Sequence, residues 1–326
     1  MLKAINAILA ILGGLGGALV LYFLLNMLVE RLPAKWEERL KPYVFVGPAM
    51  LFVTIFLVYP AVRTAVLSFF DDRGEQFVGL DNYTSLLEEE AFRDTLFNNV
   101  LWLIFVPVGV VIAGLIVAVL ADQLRPRGEN FVKSVIFLPM AISFVGASTI
   151  WRFVYAFQPE GRPQIGLLNA MSTQVGFSPV AWIQEDTARL NSFLLMVIMI
   201  WLQTGFAMVL LSAAIKSVPV ETLEAARIDG ASELQIFFRV VVPQIWATVI
   251  TVFITVLILT MKIFDIIYVM TGGAFNTDVI GNRFITELIN FGRDGRASAI
   301  VVMLMVAVIP VMIYQVRRFR ATEGAR

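Results

Sequence analysis

The sequence predicts an all-α integral membrane protein with seven transmembrane helices. Hydrophobic residues make up 59% of the 326 residues and charged residues 15%, which is too apolar for a soluble chain of this length. Seven apolar stretches are each about twenty residues long, enough to cross a bilayer as a helix. A polar, glycine-containing segment separates the fifth stretch from the sixth. The predicted spans are approximately Ile5–Val29, Tyr43–Val62, Val100–Ala121, Val132–Phe157, Ser192–Ile215, Ile245–Val269 and Ala297–Val316.

The first span is predicted to be a membrane anchor rather than a signal peptide. Its apolar run is too long for a signal peptide and lacks a small-x-small cleavage site. We therefore expect residues 1–42 to form an N-terminal transmembrane anchor with its linker. Residues 43–326 are expected to form the main membrane domain.

The composition excludes several kinds of chemistry. The chain contains neither cysteine nor histidine, so disulfides, thiol nucleophiles and imidazole bases are absent. No glycine precedes a lysine, so the chain has no phosphate-binding loop that ends in Gly-Lys-Ser/Thr. Basic and acidic residues balance, and this argues against nucleic acid as a partner. We expect no catalytic residues, no metal site and no cofactor bound by this chain.

The basic residues predict the orientation of the spans. Lysines and arginines are most frequent in alternate segments, and the positive-inside rule places those segments in the cytoplasm. These residues are Arg31, Lys35, Arg39, Lys41, Arg125, Arg127, Lys133, Lys216, Arg227, Arg239, Arg317, Arg318, Arg320 and Arg326. The N-terminus is therefore predicted outside and the C-terminus inside. The acidic run at Glu88–Glu90 falls on the outer side and is typical of a solvated face.

The polar segment at residues 216–243 is predicted to form two short helices outside the bilayer. Pro219 lies where a first helix would begin, and Gly230 can end that helix with positive φ. Ser232 and Gln235 have the spacing of a capping box, which would start a second helix. That second helix leads Phe237 and Phe238 towards the membrane. A small-residue helix of this kind is shaped to enter a groove on a partner.

The same segment resembles the EAA loop of ATP-binding-cassette (ABC) importer permeases. The resemblance rests on Glu-Ala-Ala at 224–226, on Gly230 after three intervening residues, and on the spaced Pro243. In that family the loop docks on a separate ATPase subunit, whereas the alternative is an ordinary cytoplasmic linker. The resemblance implies that the following residues couple to the ATPase: Glu224, Ala225, Ala226, Asp229, Gly230, Ala231, Phe237, Phe238 and Pro243.

Short sequence motifs elsewhere in the chain resemble those of the carbohydrate branch of these permeases. This resemblance extends from about Tyr43 to Arg320. Examples are Gly79–Tyr83, Phe264–Gly273 and Gly295–Ala299. The sequence from Met140 to Asn169 resembles that of α-glucoside permeases of the maltose-permease type. The resemblance implies a six-helix importer permease core plus one N-terminal helix in the bacterial inner membrane. It also implies a homologous second permease, two ATPase subunits that bind ATP and Mg, and an extracytoplasmic sugar-binding protein.

Polar and aromatic residues within the spans are candidates for the substrate path. A sugar has hydroxyls and apolar ring faces, so its site needs hydrogen-bonding side chains beside aromatic ones. Polar side chains in a bilayer face the bundle interior. The candidates from the residues and the resemblance together are Met140, Ser143, Phe144, Gln203, Thr204, Phe206, Thr260, Lys262, Phe264 and Asp265. Gln203 is favoured because an amide both donates and accepts.

Simpler roles remain open for these candidates. Ser143 and Thr204 can bond to backbone of a neighbouring turn, and Phe144 and Phe206 can be packing residues. Lys262 and Asp265 are three residues apart and are expected to share a helix face, where they could form an internal ion pair.

Other functions also remain open. One is an ion-coupled secondary transporter that uses Lys262 and Asp265, although no inverted repeat is visible. An ABC importer permease for a non-sugar solute is another. An intramembrane enzyme is disfavoured, since no convergent acid pair lies within the spans.

Overall fold

A computed structural model describes residues 2–31 and 33–323, and these residues fold into α-helices joined by short turns. Within them the pairing of extended backbone is limited to one bridge between Phe70 and Phe77. The basic residue Arg326 of the predicted tail lies outside the described residues. The helices are α1 (Leu2–Glu30), α2 (Ala34–Val53), α3 (Tyr59–Leu67), α4 (Asp81–Glu88), α5 (Glu90–Asp122), α6 (Pro126–Phe137), α7 (Phe144–Val154), α8 (Leu167–Gln174), α9 (Leu190–Lys216), α10 (Val220–Ile228), α11 (Glu233–Ile236), α12 (Val242–Met261), α13 (Asp265–Met270), α14 (Ile280–Ile285) and α15 (Asp294–Glu323).

The predicted all-α membrane fold is confirmed. Six helical stretches of the described chain are long and apolar enough to cross a membrane, and a bent pair of helices makes a seventh candidate. The six stretches are Ile5–Glu30, Lys35–Leu67, Glu90–Asp122, Thr187–Lys216, Glu233–Met261 and Asp294–Gln315. Each contains all or most of one predicted span.

The chain divides into two compact units, of which the first extends to Val66 and the second begins at Leu67. In the first unit α1 packs against α2. The Tyr22 hydroxyl donates to the carbonyl of Phe45 at 3.1 Å, and the two rings stack with their centroids 6.4 Å apart. The expected boundary near residue 42 remains a prediction.

The core of the second unit lies where α5, α9 and α12 pack together. Its fully buried side chains include Trp102, Leu195 and Met208. Small residues allow the close approach of α5 and α9, since a Cβ added at Gly114 would lie 2.6 Å from the Cβ of Ala207. Close backbone approach at small residues is the usual way for helices to pack in a bilayer, where apolar burial supplies little driving force.

The fourth predicted span, Val132–Phe157, is present as a bent pair of helices and not as one continuous helix. Residues 126–141 and α7 are bent from each other by 105°. Pro139 lies in a 3-10 turn that ends α6, and Ile142 and Ser143 then take extended backbone angles. The Ser143 hydroxyl restarts the helix as the N-cap of α7, because it accepts from the amide of Gly146 at 3.1 Å.

The sixth predicted span also ends earlier than expected. Helix α12 stops at Met261, and Lys262 to Phe264 form a non-helical break before α13. Helix α14 approaches this break so closely that a Cβ added at Gly281 would lie 2.7 Å from the carbonyl oxygen of Ile263. The break is therefore held by backbone contact with another helix.

Two π-helical turns precede prolines. The turns span Thr54–Val58 and Phe237–Val241, and Pro60 and Pro243 each follow two residues later. A proline within a helix has no N–H and clashes with the carbonyl four residues earlier. A wider turn relieves that clash, so α11 continues into α12 as one membrane-length stretch.

Candidate functional site

Helix α10 lies between the fifth and sixth spans in the chain, and local hydrogen bonds close its C-terminus. At its C-terminus, the amide of Ala231 donates to the carbonyl of Ala226 at 3.1 Å, and the amide of Gly230 donates to Arg227 at 3.0 Å. These two bonds form a Schellman motif, which requires a residue with positive φ. Gly230 supplies it with φ of 82°. The predicted helix end at Gly230 is confirmed.

The predicted capping box of α11 is also confirmed. The Gln235 amide donates to the Ser232 hydroxyl at 3.4 Å, and the Gln235 side chain accepts from the Ser232 amide at 2.8 Å. Arg227 of α10 donates to both carboxylate oxygens of Glu233, at 2.8 and 3.2 Å. This forked pair fixes α11 against α10. The hydrogen bond from Arg227 to Glu233, together with the negative charge of that carboxylate, holds the pKa of Arg227 above its usual value.

The residues predicted to couple to an ATPase separate into an outer and an inner set. The inner set packs on the core of the second unit and consists of Ala226, Ala231 and Phe237. The outer set is exposed and consists of Glu224, Ala225, Asp229, Gly230, Phe238 and Pro243. Sequence reasoning missed Ile228, whose side chain is 87% exposed at the end of α10. The sequence signal that could have identified Ile228 is its position as an apolar residue at the end of a helix of small residues.

A cavity of ≈ 610 Å³ lies between this segment and the end of α5. Its wall is mostly apolar and includes Leu120 of α5, Leu223 of α10, Ile236 of α11 and Phe238. Helix α10 is therefore not packed tightly against α5. It packs on α11 and on the turn at Phe237–Val241, and a linker of three residues joins it to α9.

The helix breaks bring most of the candidate path residues near the middle of α9. A Cβ added at Gly205 would lie 2.7 Å from the carbonyl oxygen of Ile136, just before the first break. The buried Thr260 hydroxyl lies 4.0 Å from the sulfur of Met199, just before the second break. Helices α7 and α13, which follow the two breaks, pack against each other. Irregular backbone inside a membrane protein is tolerated where protein or a cavity surrounds it.

The hydroxyls in this region are already bonded to backbone. Thr204 donates to the carbonyl of Ile200 at 2.6 Å, Thr260 donates to Val256 at 2.8 Å, and Ser143 caps α7. The side-chain amide of Gln203 is different. The residue is 8% exposed, and its amide forms no hydrogen bond to another described residue.

Aromatic candidates take part in packing. Phe144 and Phe206 are half-buried against the core, and the Phe264 ring lies 5.0 Å from that of Tyr268. Met140 is 41% exposed beside the first break.

The prediction that Lys262 and Asp265 share one helix face is wrong. Lys262 lies in the break after α12, whereas Asp265 begins α13. Lys262 is exposed, and neither side chain forms an ion pair within the described residues. The break separates the two residues, so helical spacing does not apply to them.

Three arginines surround a buried carboxylate where α5 begins, and we name this group the arginine cluster (Glu89, Arg283, Glu287, Arg293 and Arg296). Glu287 is fully buried and pairs with Arg283 at 3.0 Å, Arg293 at 3.3 Å and Arg296 at 3.4 Å. Glu89 also pairs with Arg283 and Arg296. Glu88 and Glu90 are exposed, but Glu89 is not simply part of a solvated face.

A second charged group lies at the other end of α5, and we name it the lysine clasp (Asp122, Glu129, Lys133, Ser212 and Lys216). Lys133 of α6 donates to Glu129 and to the Ser212 hydroxyl, both at 2.5 Å, and pairs with Asp122 at 3.4 Å. Lys216, the last residue of α9, pairs with Asp122 at 3.3 Å and with Glu129. The clasp joins α5, α6 and α9 beside α10.

Membrane-length helices, two breaks that meet near α9 and an exposed helix between spans define a multi-pass membrane transport protein. A family model described as "binding-protein-dependent transport system inner membrane component" matches residues 110–320. The chain belongs to this family. It is an inner-membrane permease subunit of an ABC importer, as the resemblance at Glu224–Ala226 predicted.

Two relatives match along almost the whole chain. A permease for uptake of osmoprotective compounds from Synechocystis sp. is 50% identical over 282 residues, which cover 86% of this chain and all of that protein. An α-glucoside transport system permease from Rhizobium meliloti is 46% identical over 288 residues, covering 88% of this chain and 84% of that protein.

The fold is similar to that of a permease in a solved bacterial alginate ABC transporter, crystallised with its alginate-bound periplasmic protein. The TM-score is 0.69 with 21% identity, and the match covers 85% of this chain and 94% of that one.

Proposed function

We propose that this permease forms the path for an α-glucoside or a similar disaccharide. The observation that carries the proposal is the 46% identity to a permease named for α-glucoside transport, along 88% of this chain. Half-buried aromatic side chains beside one unbonded amide suit a solute with hydroxyls and apolar ring faces. Gln203 would contact the sugar, with Met140, Phe144, Phe206 and Phe264 as neighbouring surface.

The proposal includes the partners that the family resemblance implies. A homologous second permease would complete the path, two ATPase subunits would bind ATP and Mg, and an extracytoplasmic binding protein would deliver the sugar. The exposed face of α10 would enter the ATPase, with Glu224 and Ala225 on that face and Ile228 as an apolar anchor. Burial of one isoleucine side chain in a partner groove contributes about 1.5–3 kcal/mol.

The proposed orientation follows from the distribution of basic residues. The lysine clasp, α10 and the basic end of α15 would face the cytoplasm, and the arginine cluster would face outside. The arginine cluster and the lysine clasp lie at opposite ends of α5. If one of them faces the cytoplasm, the other faces the outside.

The test is uptake by the complete importer, reconstituted in proteoliposomes with its binding protein. Radiolabelled maltose and trehalose serve as α-glucoside probes, and betaine represents a non-sugar osmoprotectant. We expect saturable uptake of an α-glucoside that requires ATP inside the vesicles. Uptake of betaine alone would contradict the sugar assignment. Uptake that persists without ATP would contradict the ATP-driven mechanism.

The substrate path is tested by Gln203→Leu, with Thr204→Val as the matched control. A lost hydrogen bond costs about 0.5–1.5 kcal/mol, so Gln203→Leu should raise the transport KM by about 3–10-fold. Thr204→Val should leave KM nearly unchanged, because the Thr204 hydroxyl is already bonded to Ile200. Equal effects of the two substitutions would remove Gln203 from the path.

A further inference from the structure

We propose that the lysine clasp makes α6 and α9 one body, which transmits movement of α10 to the break at Ile142 and Ser143. Lys216 is the positioning residue at the centre of this link. The inference rests on the proposed attachment of an ATPase at α10. It goes further, because it states how movement of α10 would reach the substrate path.

The first step is the short connection from α10 to the clasp. Lys216 ends α9, and three residues separate it from the start of α10 at Val220. Those residues are fixed in place: the Ser217 amide donates to the carbonyls of Ala213 and Ala214, and Val218 is buried. A short, bonded linker cannot absorb a displacement of α10, so the end of α9 must follow it.

The second step is the packing of α6 against α9, which continues along α6. Glu129 pairs with Lys216 and Lys133 bonds to Ser212, while the backbone at Ile136 and Phe137 touches Gly205. The contacts advance along α6 as they go backwards along α9, as in an antiparallel helix pair. Charged contacts fix one end of the pair, and backbone contact fixes the other.

The third step is the position of the break. Helix α6 ends at Phe137, and the turn that follows contains Met140 and leads to Ser143. Any shift of α6 therefore moves the residues of the proposed path. The cavity of ≈ 610 Å³ separates the α10–α11 segment from α5, so the short linker to α9 is the direct route from α10 to α6.

The experiment measures solute transported per ATP hydrolysed by the complete importer in proteoliposomes. Lys216→Met removes the pairs with Glu129 and Asp122. We expect that ratio to fall at least about fivefold, the lower end of coupling between two sites, while the ATPase still co-purifies. Lys216→Arg, and the exchange Lys216→Glu with Glu129→Lys, should restore most of the ratio.

Lys41→Met is the matched control, because Lys41 forms a comparable lysine–glutamate pair with Glu37 at 2.9 Å in the other unit. It should leave the ratio unchanged. An unchanged ratio in Lys216→Met would overturn the proposal. Loss of the ATPase from that variant would also overturn it, because Lys216 would then anchor the partner instead of transmitting movement.

A cross-link tests whether α6 and α9 stay together during the cycle. The chain contains no cysteine, so Glu129→Cys with Lys216→Cys introduces the only two thiols of the permease. A short bifunctional thiol reagent should restore the ratio that the unbridged variant loses. Arrest of transport by the bridge would show that the clasp must open, and would refute the one-body link. Failure of ATP-dependent uptake in the unmodified importer would instead refute the proposed function.

Discussion

The arginine cluster and the lysine clasp lie at opposite ends of α5, a helix of 33 residues that spans about 50 Å. The arginine cluster places a fully buried Glu287 among three guanidinium groups. The lysine clasp contains Lys216, whose side chain is 50% exposed. Guanidinium is a rigid planar fork, whereas the lysine ammonium is a point charge on a flexible stem.

The difference indicates that the two ends of the bundle have different mechanical roles. A buried carboxylate that pairs with Arg283, Arg293 and Arg296 cannot move without leaving charges unpaired, so the arginine cluster holds α14 and α15 in place. Flexible lysines can keep their pairs while α9 and α10 shift together. The end of the bundle at the arginine cluster is therefore held rigidly, whereas the end at the lysine clasp, beside α10, can move.

The largest expected effect is that of Glu287→Ala. Removal of one partner of a buried charge network should lower the free energy of unfolding by about 3–5 kcal/mol. Denaturant unfolding in detergent micelles measures the change, with exposed Glu88→Ala as the control. Lys216→Met should cost much less in the same assay. Equal losses of unfolding free energy in Glu287→Ala and Lys216→Met would contradict the proposed difference in rigidity between the two clusters.

Gly205→Ala tests the backbone contact between α6 and α9 at the end of α6 that lies away from the lysine clasp. The added Cβ meets the Ile136 carbonyl oxygen at 2.7 Å and the Phe137 Cα at 2.8 Å, so α6 must move away. We expect a loss of about 1–3 kcal/mol in the free energy of unfolding and fewer solute molecules transported per ATP.

Gly109→Ala is the control for Gly205, because its Cβ meets the flexible end of the Ile200 side chain at 2.6 Å. Rotation of Ile200 should relieve that contact at lower cost. Equal losses in the two alanine variants would show that α6 does not depend on the close approach of Gly205.

Gly230→Val and Gly161→Val compare the two ends of the second unit, because both glycines have the same left-handed backbone conformation. Gly230 has φ of 82° and Gly161, in the loop before α8, has φ of 83°, and both have open space around them. A left-handed conformation costs an L-residue about 1–2 kcal/mol. Gly230→Val should therefore weaken ATPase co-purification and transport, whereas Gly161→Val should spare both. Normal assembly in Gly230→Val would argue against α10 as the attachment site.

The smallest effect is a pH dependence beside the arginine cluster. Burial raises the pKa of Asp278, so the folded protein binds this proton more tightly than the unfolded chain. The resulting stability is complete below the unfolded value of about 3.9 and is lost as pH rises through the folded pKa. Asp278→Asn should therefore gain stability relative to wild type as pH increases. A difference that is flat with pH would contradict this account.

Local patterns were enough to predict the fold and the α10 segment. The presence of membrane-length apolar helices, the helix end at Gly230 and the capping box at Ser232 and Gln235 depend on neighbours in sequence, and each of these predictions was confirmed. The break after Met261 contains no proline and is held by contact with Gly281 of α14, so sequence spacing wrongly joined Lys262 to Asp265.

The charged clusters were not predictable for a related reason. Glu89 and Arg296 are 207 residues apart in sequence, and Glu129 and Lys216 are 87 apart. Only the packed bundle brings these side chains together. Gln203 was favoured from its chemistry, and the structure adds that its amide has no hydrogen-bond partner within the described residues.

The most direct test of the account is site-specific cross-linking to the ATPase from a single introduced thiol. Glu224→Cys places the thiol on the exposed face of α10, and Glu160→Cys places it on an exposed loop at the opposite end of the second unit. We predict that a thiol-anchored photo-cross-linker joins the ATPase subunit at position 224 and not at position 160. An adduct at position 160, or none at position 224 in an importer that transports normally, would contradict both the attachment at α10 and the proposed orientation.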